Sequence, residues 1–103
     1  MKSYMKKQLS LLKQKYEKIG FRVVGVFGSY ARESESYQSD LDIAYEINSL
    51  FVEKYSGWSS ILKLEEIKKE IAESVGVHKV DLVPTDTPNR TLQKIFKNEM
   101  IYV

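Results

Sequence analysis

The sequence predicts a small α+β fold (mixed α/β), in which about four helices pack against a three- or four-stranded mixed sheet. Stretches with apolar residues every three or four positions alternate along the chain with short runs rich in β-branched and aromatic residues. Their order is helix, strand, short helix, strand, helix, strand, helix, which is typical of helices packed on a sheet. Because 103 residues fit one domain, we expect residues 1–103 to fold as a single unit.

The composition excludes several classes of protein. The chain has no cysteine, so disulfides, thiolate zinc sites and cysteine nucleophiles are ruled out, and a reducing, cytoplasmic location is favoured. No apolar run approaches the ~18–20 residues of a membrane span, and the N-terminus lacks a signal-peptide core. Sixteen basic and 14 acidic residues leave a formal charge of +2, which is too small by itself to indicate a nucleic-acid partner.

The first predicted element is an amphipathic helix over the first twenty residues, which ends at Gly20. Its apolar stripe consists of Met5, Leu9, Leu12, Tyr16 and Ile19. The other faces carry mostly lysine, and they form either a solvated surface or a docking surface for an acidic partner. A buried strand from Phe21 to Phe27 follows.

A bend at Gly28-Ser29 ends this strand. Residues 30–33 are expected to form one helical turn, and residues 34–39 a polar loop. Residues 40–47 alternate as a strand does. The apolar face of that strand is Leu41, Ile43, Tyr45 and Ile47, and its other face is Asp40, Asp42, Ala44 and Glu46.

Residues 48–58 combine loop signals with large apolar side chains. Phe51, Val52, Tyr55 and Trp58 either cover the edge of the core or form a contact patch. Ser59 or Ser60 is expected to cap a second long helix that ends at Gly76. The inward residues of that helix are Leu64, Ile67, Ile71 and Val75.

The last part of the chain predicts a strand over residues 77–83, closed by Pro84. Thr87 is expected to cap a final helix with Pro88 at its first position. Leu92, Ile95 and Phe96 form the apolar face of that helix. Residues 100–103 are expected to add a short edge strand.

Three carboxylates in the predicted strands indicate a cation site. Asp40 and Asp42 are two residues apart, so both leave the same face of a strand, about 6–7 Å apart. Asp81 must face away from its apolar neighbours, and it joins the other two if its strand pairs beside theirs. Clustered carboxylates repel one another unless a cation lies among them, and Mg²⁺ prefers a few carboxylates together with substrate phosphates.

The bend after the first strand indicates an anion site. Gly28 allows another group to approach the backbone closely, and the Ser29 hydroxyl and the first amides of the turn are hydrogen-bond donors. Arg32 follows three residues later, where it can grip a phosphate or brace a carboxylate.

These two groups together resemble a known family. Gly28-Ser29, ten intervening residues and Asp40-Leu41-Asp42 match the signature Gly-Ser-x10-Asp-x-Asp of the minimal nucleotidyltransferases (MNT) of the polymerase-β superfamily. The resemblance extends to Val80-Asp81-Leu82-Val83, where that family keeps a third carboxylate, and to the closing helix before Ile101-Tyr102. It covers nearly the whole chain.

The resemblance implies a role for each of these residues. Asp40 and Asp42 would each bridge two Mg²⁺ ions, and Asp81 would complete the site of the catalytic ion. Gly28 and Ser29 would hold the triphosphate of ATP, with Arg32 nearby. A hydroxyl would then attack the α-phosphorus in line and expel pyrophosphate.

The resemblance also implies a partner. Small members of this family act as the antitoxin of HEPN/MNT pairs and transfer AMP to a tyrosine of the helical HEPN toxin, which is our leading hypothesis. Two alternatives stay open: a non-catalytic subunit that masks its partner, and transfer to a small molecule such as an aminoglycoside in a pocket between chains of an oligomer. A nucleic-acid acceptor is disfavoured by the small net charge.

Overall fold

Four helices surround a four-stranded mixed sheet in the computed structural model, which describes residues 1–103. The helices are α1 (Ser3–Glu17), α2 (Ser49–Lys54), α3 (Trp58–Val75) and α4 (Arg90–Glu99). The strands are β1 (Phe21–Phe27), β2 (Asp40–Ile47), β3 (Lys79–Pro84) and β4 (Ile101–Tyr102). The predicted α+β class is therefore confirmed. None of the helices is both long and apolar enough to pass through a lipid bilayer.

The strands lie side by side in the order β3-β2-β1-β4. β1 is antiparallel to both β2 and β4, whereas β2 and β3 are parallel. A parallel pair needs a long crossover connection, which α2 and α3 provide between β2 and β3. This topology brings the carboxylates of β2 and β3 onto neighbouring strands.

The main core lies between the sheet and the pair α1 and α3. All four α1 positions Met5, Leu9, Leu12 and Tyr16 are buried, as are Ile67, Ile71 and Val75 of α3. Phe21 is fully buried, with Tyr45 stacked on its ring at 5.0 Å and Tyr16 edge-on at 5.7 Å. The predicted apolar stripes of both long helices therefore face the sheet.

Helix α4 covers part of the opposite face of the sheet. Its Phe96 packs edge-on against Phe27 of β1, with ring centroids 5.0 Å apart, and Ala44 of β2 completes this small cluster. Ala44 was predicted on the face that carries the carboxylates, and it is fully buried because α4 lies over it. Asp40 and Asp42 share this face and remain only half-buried.

Residues 48–58 differ from the predicted loop because Asn48 starts a helix. The Asn48 side-chain oxygen accepts hydrogen bonds from the amides of Leu50 and Phe51, which is an N-cap. Phe51 of α2 is buried against the core, whereas Val52 and Trp58 are exposed, at 54% and 76%. The first interpretation therefore holds for Phe51, and the contact patch stays a prediction for the exposed Val52 and Trp58.

Two predicted helix starts are wrong. Helix α3 begins at Trp58, and the hydroxyls of Ser59 and Ser60 donate to carbonyls three residues earlier instead of capping it. Helix α4 begins at Arg90 after an Asn89 cap, whose side chain accepts from the Leu92 amide at 3.1 Å. The cap therefore lies two residues after the predicted Thr87.

Two strand predictions also need correction. β3 starts at Lys79 and runs to Pro84, so residues 77 and 78 lie outside it. Ile47 was predicted to face the core, but it ends β2 beyond the cover of the helices and is 44% exposed. The predicted edge strand at the end of the chain is confirmed as β4, which pairs with β1.

Candidate active site

The three predicted acids lie on the same face of the sheet, which is the face that α4 partly covers. Asp42 of β2 and Asp81 of β3 are direct partners in the parallel register, and Asp40 lies two residues earlier on β2, opposite Lys79. Neighbouring strands are about 4.8 Å apart, so the backbone places the first two carboxylates side by side. The alternate residues Leu41 and Val80 are buried in the main core, which fixes the acids on the other face.

Asp42 is the most perturbed of these acids. Burial raises the pKa of Asp42 to about 6, and the negative charges of Asp81 and Asp40 add to this effect, while the positive charge of Arg32 opposes it. An isolated carboxyl group of this type titrates near 3.9. The charged form of Asp42 is therefore less stable in the site than in water, and a bound cation would stabilise it.

The donor set fits a hard divalent cation, because it consists of carboxylate oxygens on neighbouring strands. The side chains do not form a finished cage: no group of three or more acidic or histidine side chains is gathered closely enough to hold an ion. Asp81 instead points an oxygen towards Lys79, with Nζ and Oδ1 3.8 Å apart. The backbone register places Asp42 and Asp81 next to each other on neighbouring strands.

The bend at Gly28 lies directly against Asp42. Phe27, the last residue of β1, pairs with Asp42, and Gly28 follows with a φ of +78°. A β-carbon added at Gly28 would overlap Oδ2 of Asp42, and any side chain would be strained at this φ, so glycine favours the close approach. The predicted anion-binding bend and the predicted cation-binding acids are therefore in contact.

The turn after Gly28 leaves donors available. The Arg32 amide donates to the Gly28 carbonyl at 3.0 Å and the Ser34 amide to the Ser29 carbonyl at 2.9 Å, which closes the turn. The amides of Ser29, Tyr30 and Ala31 donate to no other backbone group. This is the arrangement in which a turn can bind phosphate oxygens.

Arg32 braces a carboxylate, the second of its two predicted uses. Its Nη1 donates to Oε1 of Glu99 at 2.8 Å. Glu99 was not identified from the sequence, since it lies far along the chain at the end of α4 and belongs to no motif. Lys79 was also missed, although its position two residues before Asp81 on the same strand face was a usable signal.

The largest cavity lies beside the site and not in it. Its volume is about 500 Å³, and its lining includes Tyr4 of α1, Tyr30 and Tyr37 of the loop after β1, and His78 before β3. None of the three acids lines it. The acids therefore lie outside this cavity and are each partly exposed.

One known protein family matches nearly the whole chain. The family model "Polymerase beta, Nucleotidyltransferase" matches residues 7–103, a range that includes all six predicted site residues. The chain belongs to this nucleotidyltransferase family. The minimal-nucleotidyltransferase resemblance is thereby confirmed, and the protein is an enzyme of the nucleotidyltransferase class.

Relatives of this nucleotidyltransferase agree with the assignment. A Methanocaldococcus jannaschii protein, provisionally named a protein adenylyltransferase, is 31% identical over 104 residues, which cover 100% of this chain and 94% of that protein. The protein adenylyltransferase MntA of Thermococcus cleftensis is 31% identical over 91 residues, covering 88% of this chain and 83% of MntA.

Solved structures share the fold of the nucleotidyltransferase. One provisionally assigned as a minimal nucleotidyltransferase superposes with a TM-score of 0.64 at 25% identity, over 96% of this chain and 88% of that one. A toxin–antitoxin crystal structure with AMP-PNP gives a TM-score of 0.64 at 16% identity, over 92% of this chain and 70% of that one. The second likeness is one of fold.

Proposed function

We propose that this nucleotidyltransferase transfers AMP from ATP to a tyrosine hydroxyl of a helical HEPN-type toxin, in a reaction that requires Mg²⁺, and so acts as an antitoxin. The names of its relatives support the protein acceptor, and the toxin–antitoxin fold neighbour supports the toxin. The observation that carries the proposal is the in-register pair Asp42 and Asp81 beside the Gly28 bend.

Each site residue has a task in this proposal. Asp40, Asp42 and Asp81 would hold the two Mg²⁺ ions, which would offset the negative charge of the transferred group. The Ser29 hydroxyl and the free amides of the turn bind the triphosphate, since both are donors on the site's edge. Arg32 uses the guanidinium donors that Glu99 leaves free.

The proposed transfer forms one oxygen–phosphorus bond and breaks another. The tyrosine oxygen attacks the α-phosphorus, a new O–P bond forms, and the bond from that phosphorus to the bridging oxygen breaks. Pyrophosphate leaves, and the phenolic proton passes to Asp81 or to solvent. Positioning and charge neutralisation provide most of the rate in such transfers, which is what this set of residues supplies.

The test is transfer of label from [α-³²P]ATP to the HEPN-type toxin that the proposal expects to be encoded beside this gene. Wild-type protein with Mg²⁺ should label the toxin, and a tyrosine-to-phenylalanine change at the labelled position should abolish the signal. Asp42→Asn and Asp81→Asn should each lose the activity. Glu66→Gln, which removes an exposed acid of α3, should retain it. A toxin that stays unlabelled by the wild-type protein would refute the proposal. Labelling by the two site variants at the wild-type level would refute it as well.

A second candidate is a subunit that neutralises its partner by masking it. The observation that favours it is an exposed apolar group at the start of α3, with Trp58, Ile61 and Leu62 exposed at 76%, 50% and 66%. A variant with asparagine at all three site aspartates separates the candidates. If that variant still protects cells from the toxin, masking is the function; if it binds the toxin without protecting, transfer is.

A further inference from the structure

The ion pair between Arg32 and Glu99 joins two distant parts of the chain at the candidate site. Arg32 lies in the turn that follows the Gly28 bend, and Glu99 is the last residue of α4. Their Nη1 and Oε1 atoms are 2.8 Å apart, and the side chains are 51% and 25% exposed. The pair is therefore accessible to a ligand at the site.

Both ends of this pair are anchored. The Arg32 amide donates to the Gly28 carbonyl, which fixes the backbone of the turn. Helix α4 is held by Phe96, whose ring packs on Phe27, the residue just before Gly28. Glu99 therefore approaches the turn from a helix that is packed on the strand leading into it.

The pair leaves most of the guanidinium free. Glu99 accepts from Nη1 alone, and Arg32 makes no other side-chain hydrogen bond. A guanidinium has five N–H donors in a fixed plane, so the remaining donors stay available for a phosphate. Glu99 thus restricts the orientation of Arg32 without using up its capacity to bind an anion.

The carboxylates nearby give Glu99 a second effect. Asp40, Asp42 and Asp81 form the negative part of the site, and an unrestrained Arg32 would be drawn to them. There it would occupy the place of the cation. The guanidinium instead donates to Glu99, the last residue of α4, and to none of the three strand aspartates.

We infer that Glu99 is a positioning residue for nucleotide binding: it orients Arg32 so that the guanidinium meets the triphosphate of the bound nucleoside triphosphate. This inference rests on the proposed function, because it assumes that a triphosphate binds at the Gly28 bend. Glu99 itself touches neither the reacting atoms nor the nucleotide.

The test is a double-mutant cycle with ATP. Glu99→Ala should raise KM for ATP and weaken ATP affinity by about threefold to fivefold, the range expected for one exposed charge pair, with kcat within about twofold. Glu99→Gln keeps an acceptor oxygen and should show a smaller effect. In an Arg32→Gln background, Glu99→Ala should have no further effect. Glu66→Gln, which breaks an exposed ion pair of α3, is the matched control and should not change KM.

Several outcomes would overturn the inference. They are an unchanged or lower KM in Glu99→Ala, a loss confined to kcat, or an equal loss in the Arg32→Gln background. If the wild-type protein transfers AMP while Glu99→Ala matches it, only the role of Glu99 is refuted. If the wild-type protein neither binds ATP nor transfers AMP, the proposed function is refuted together with this inference.

Discussion

Asp42 of β2 and Asp81 of β3 occupy the same register position of two neighbouring parallel strands, so their carboxylates leave the sheet side by side. No packing requirement explains two acids there, because a buried or half-buried carboxylate beside another one lowers stability. This destabilising pair of acids lies where Asp42 contacts the Gly28 bend. The proposed role of both acids in binding a cation would account for it.

Replacing Asp42 should therefore stabilise the protein near neutral pH. The pKa of Asp42 is raised to about 6, so the folded state binds its proton more tightly than the unfolded state does. The free energy of unfolding thus falls as pH rises from about 4 through 6. We expect Asp42→Asn to gain about 1–2 kcal/mol at pH 7.5, which is less than the full pKa shift implies because solvent screens this half-buried group, and little at pH 4.

Urea denaturation of both proteins across this pH range measures the effect. Glu66→Gln is the control, because its exposed carboxyl group lies on α3, on the other side of the sheet from Asp42, so this change should leave the effect of Asp42 in place. A stability difference between wild type and Asp42→Asn that is the same at pH 4 and pH 7.5 would contradict the explanation.

Mg²⁺ should stabilise the wild-type protein, since a cation among the acids offsets the repulsion that Asp42 experiences. Thermal unfolding with Mg²⁺ against EDTA should show a rise in Tm that is larger at pH 7.5 than at pH 5, where Asp42 is mostly protonated. Asp42→Asn should show a smaller rise. An equal response in the variant would mean that Mg²⁺ binds elsewhere.

Gly28→Ala should damage the site as well as the fold. Alanine at a φ of +78° costs about 1–2 kcal/mol from backbone strain alone. The added β-carbon also overlaps Oδ2 of Asp42, so that carboxylate must move and transfer activity should be lost. The matched control is Gly76→Ala, because Gly76 has a φ of +80° with nothing within 4 Å of an added β-carbon.

We expect Gly76→Ala to lose stability by a similar strain energy and to keep its activity. Urea denaturation and the AMP-transfer assay measure the two effects separately. Full activity in Gly28→Ala would show that the close approach of the bend to Asp42 is not needed.

Helix α4 should depend on Phe96 for its docking on the sheet. The Phe96 side chain is 6% exposed and packs on Phe27, so Phe96→Ala should lower the free energy of unfolding by about 3–5 kcal/mol. Trp58→Ala is the matched control, because Trp58 is a larger aromatic that is 76% exposed, and it should change stability by less than about 0.5 kcal/mol. Equal losses in urea denaturation would contradict this account of the core.

The periodic parts of the chain were predictable from sequence. β1 and β2 have the predicted bounds because alternation and β-branched residues mark both strands. The buried stripes of α1 and α3 follow their 3.6-residue period. Helix starts were harder to predict because several residues nearby could cap: Asn48 and Asn89 do so, while Ser59 donates backwards to a carbonyl.

The candidate site was predictable only where a motif marks it. Asp40, Asp42 and Asp81 were identified from their spacing and strand setting, and the parallel pairing of β2 with β3 brings them together. The partnership of Arg32 with Glu99 depends on where α4 packs, which no local pattern encodes. The pairing of Asp42 with Asp81 also depends on tertiary structure. From the sequence it followed only on the condition that the third strand pairs beside the second.

We propose that the acids of β2 and β3 bind Mg²⁺ and, through it, a nucleoside triphosphate. Calorimetric titration of ATP into the protein tests it most directly, with Mg²⁺ and with EDTA, for wild type, Asp42→Asn and Asp81→Asn. We predict binding by the wild type that requires Mg²⁺ and is at least tenfold weaker in both variants, which corresponds to about 1.4 kcal/mol or more. The same ATP affinity with Mg²⁺ and with EDTA, or the same affinity in all three proteins, would contradict this proposal.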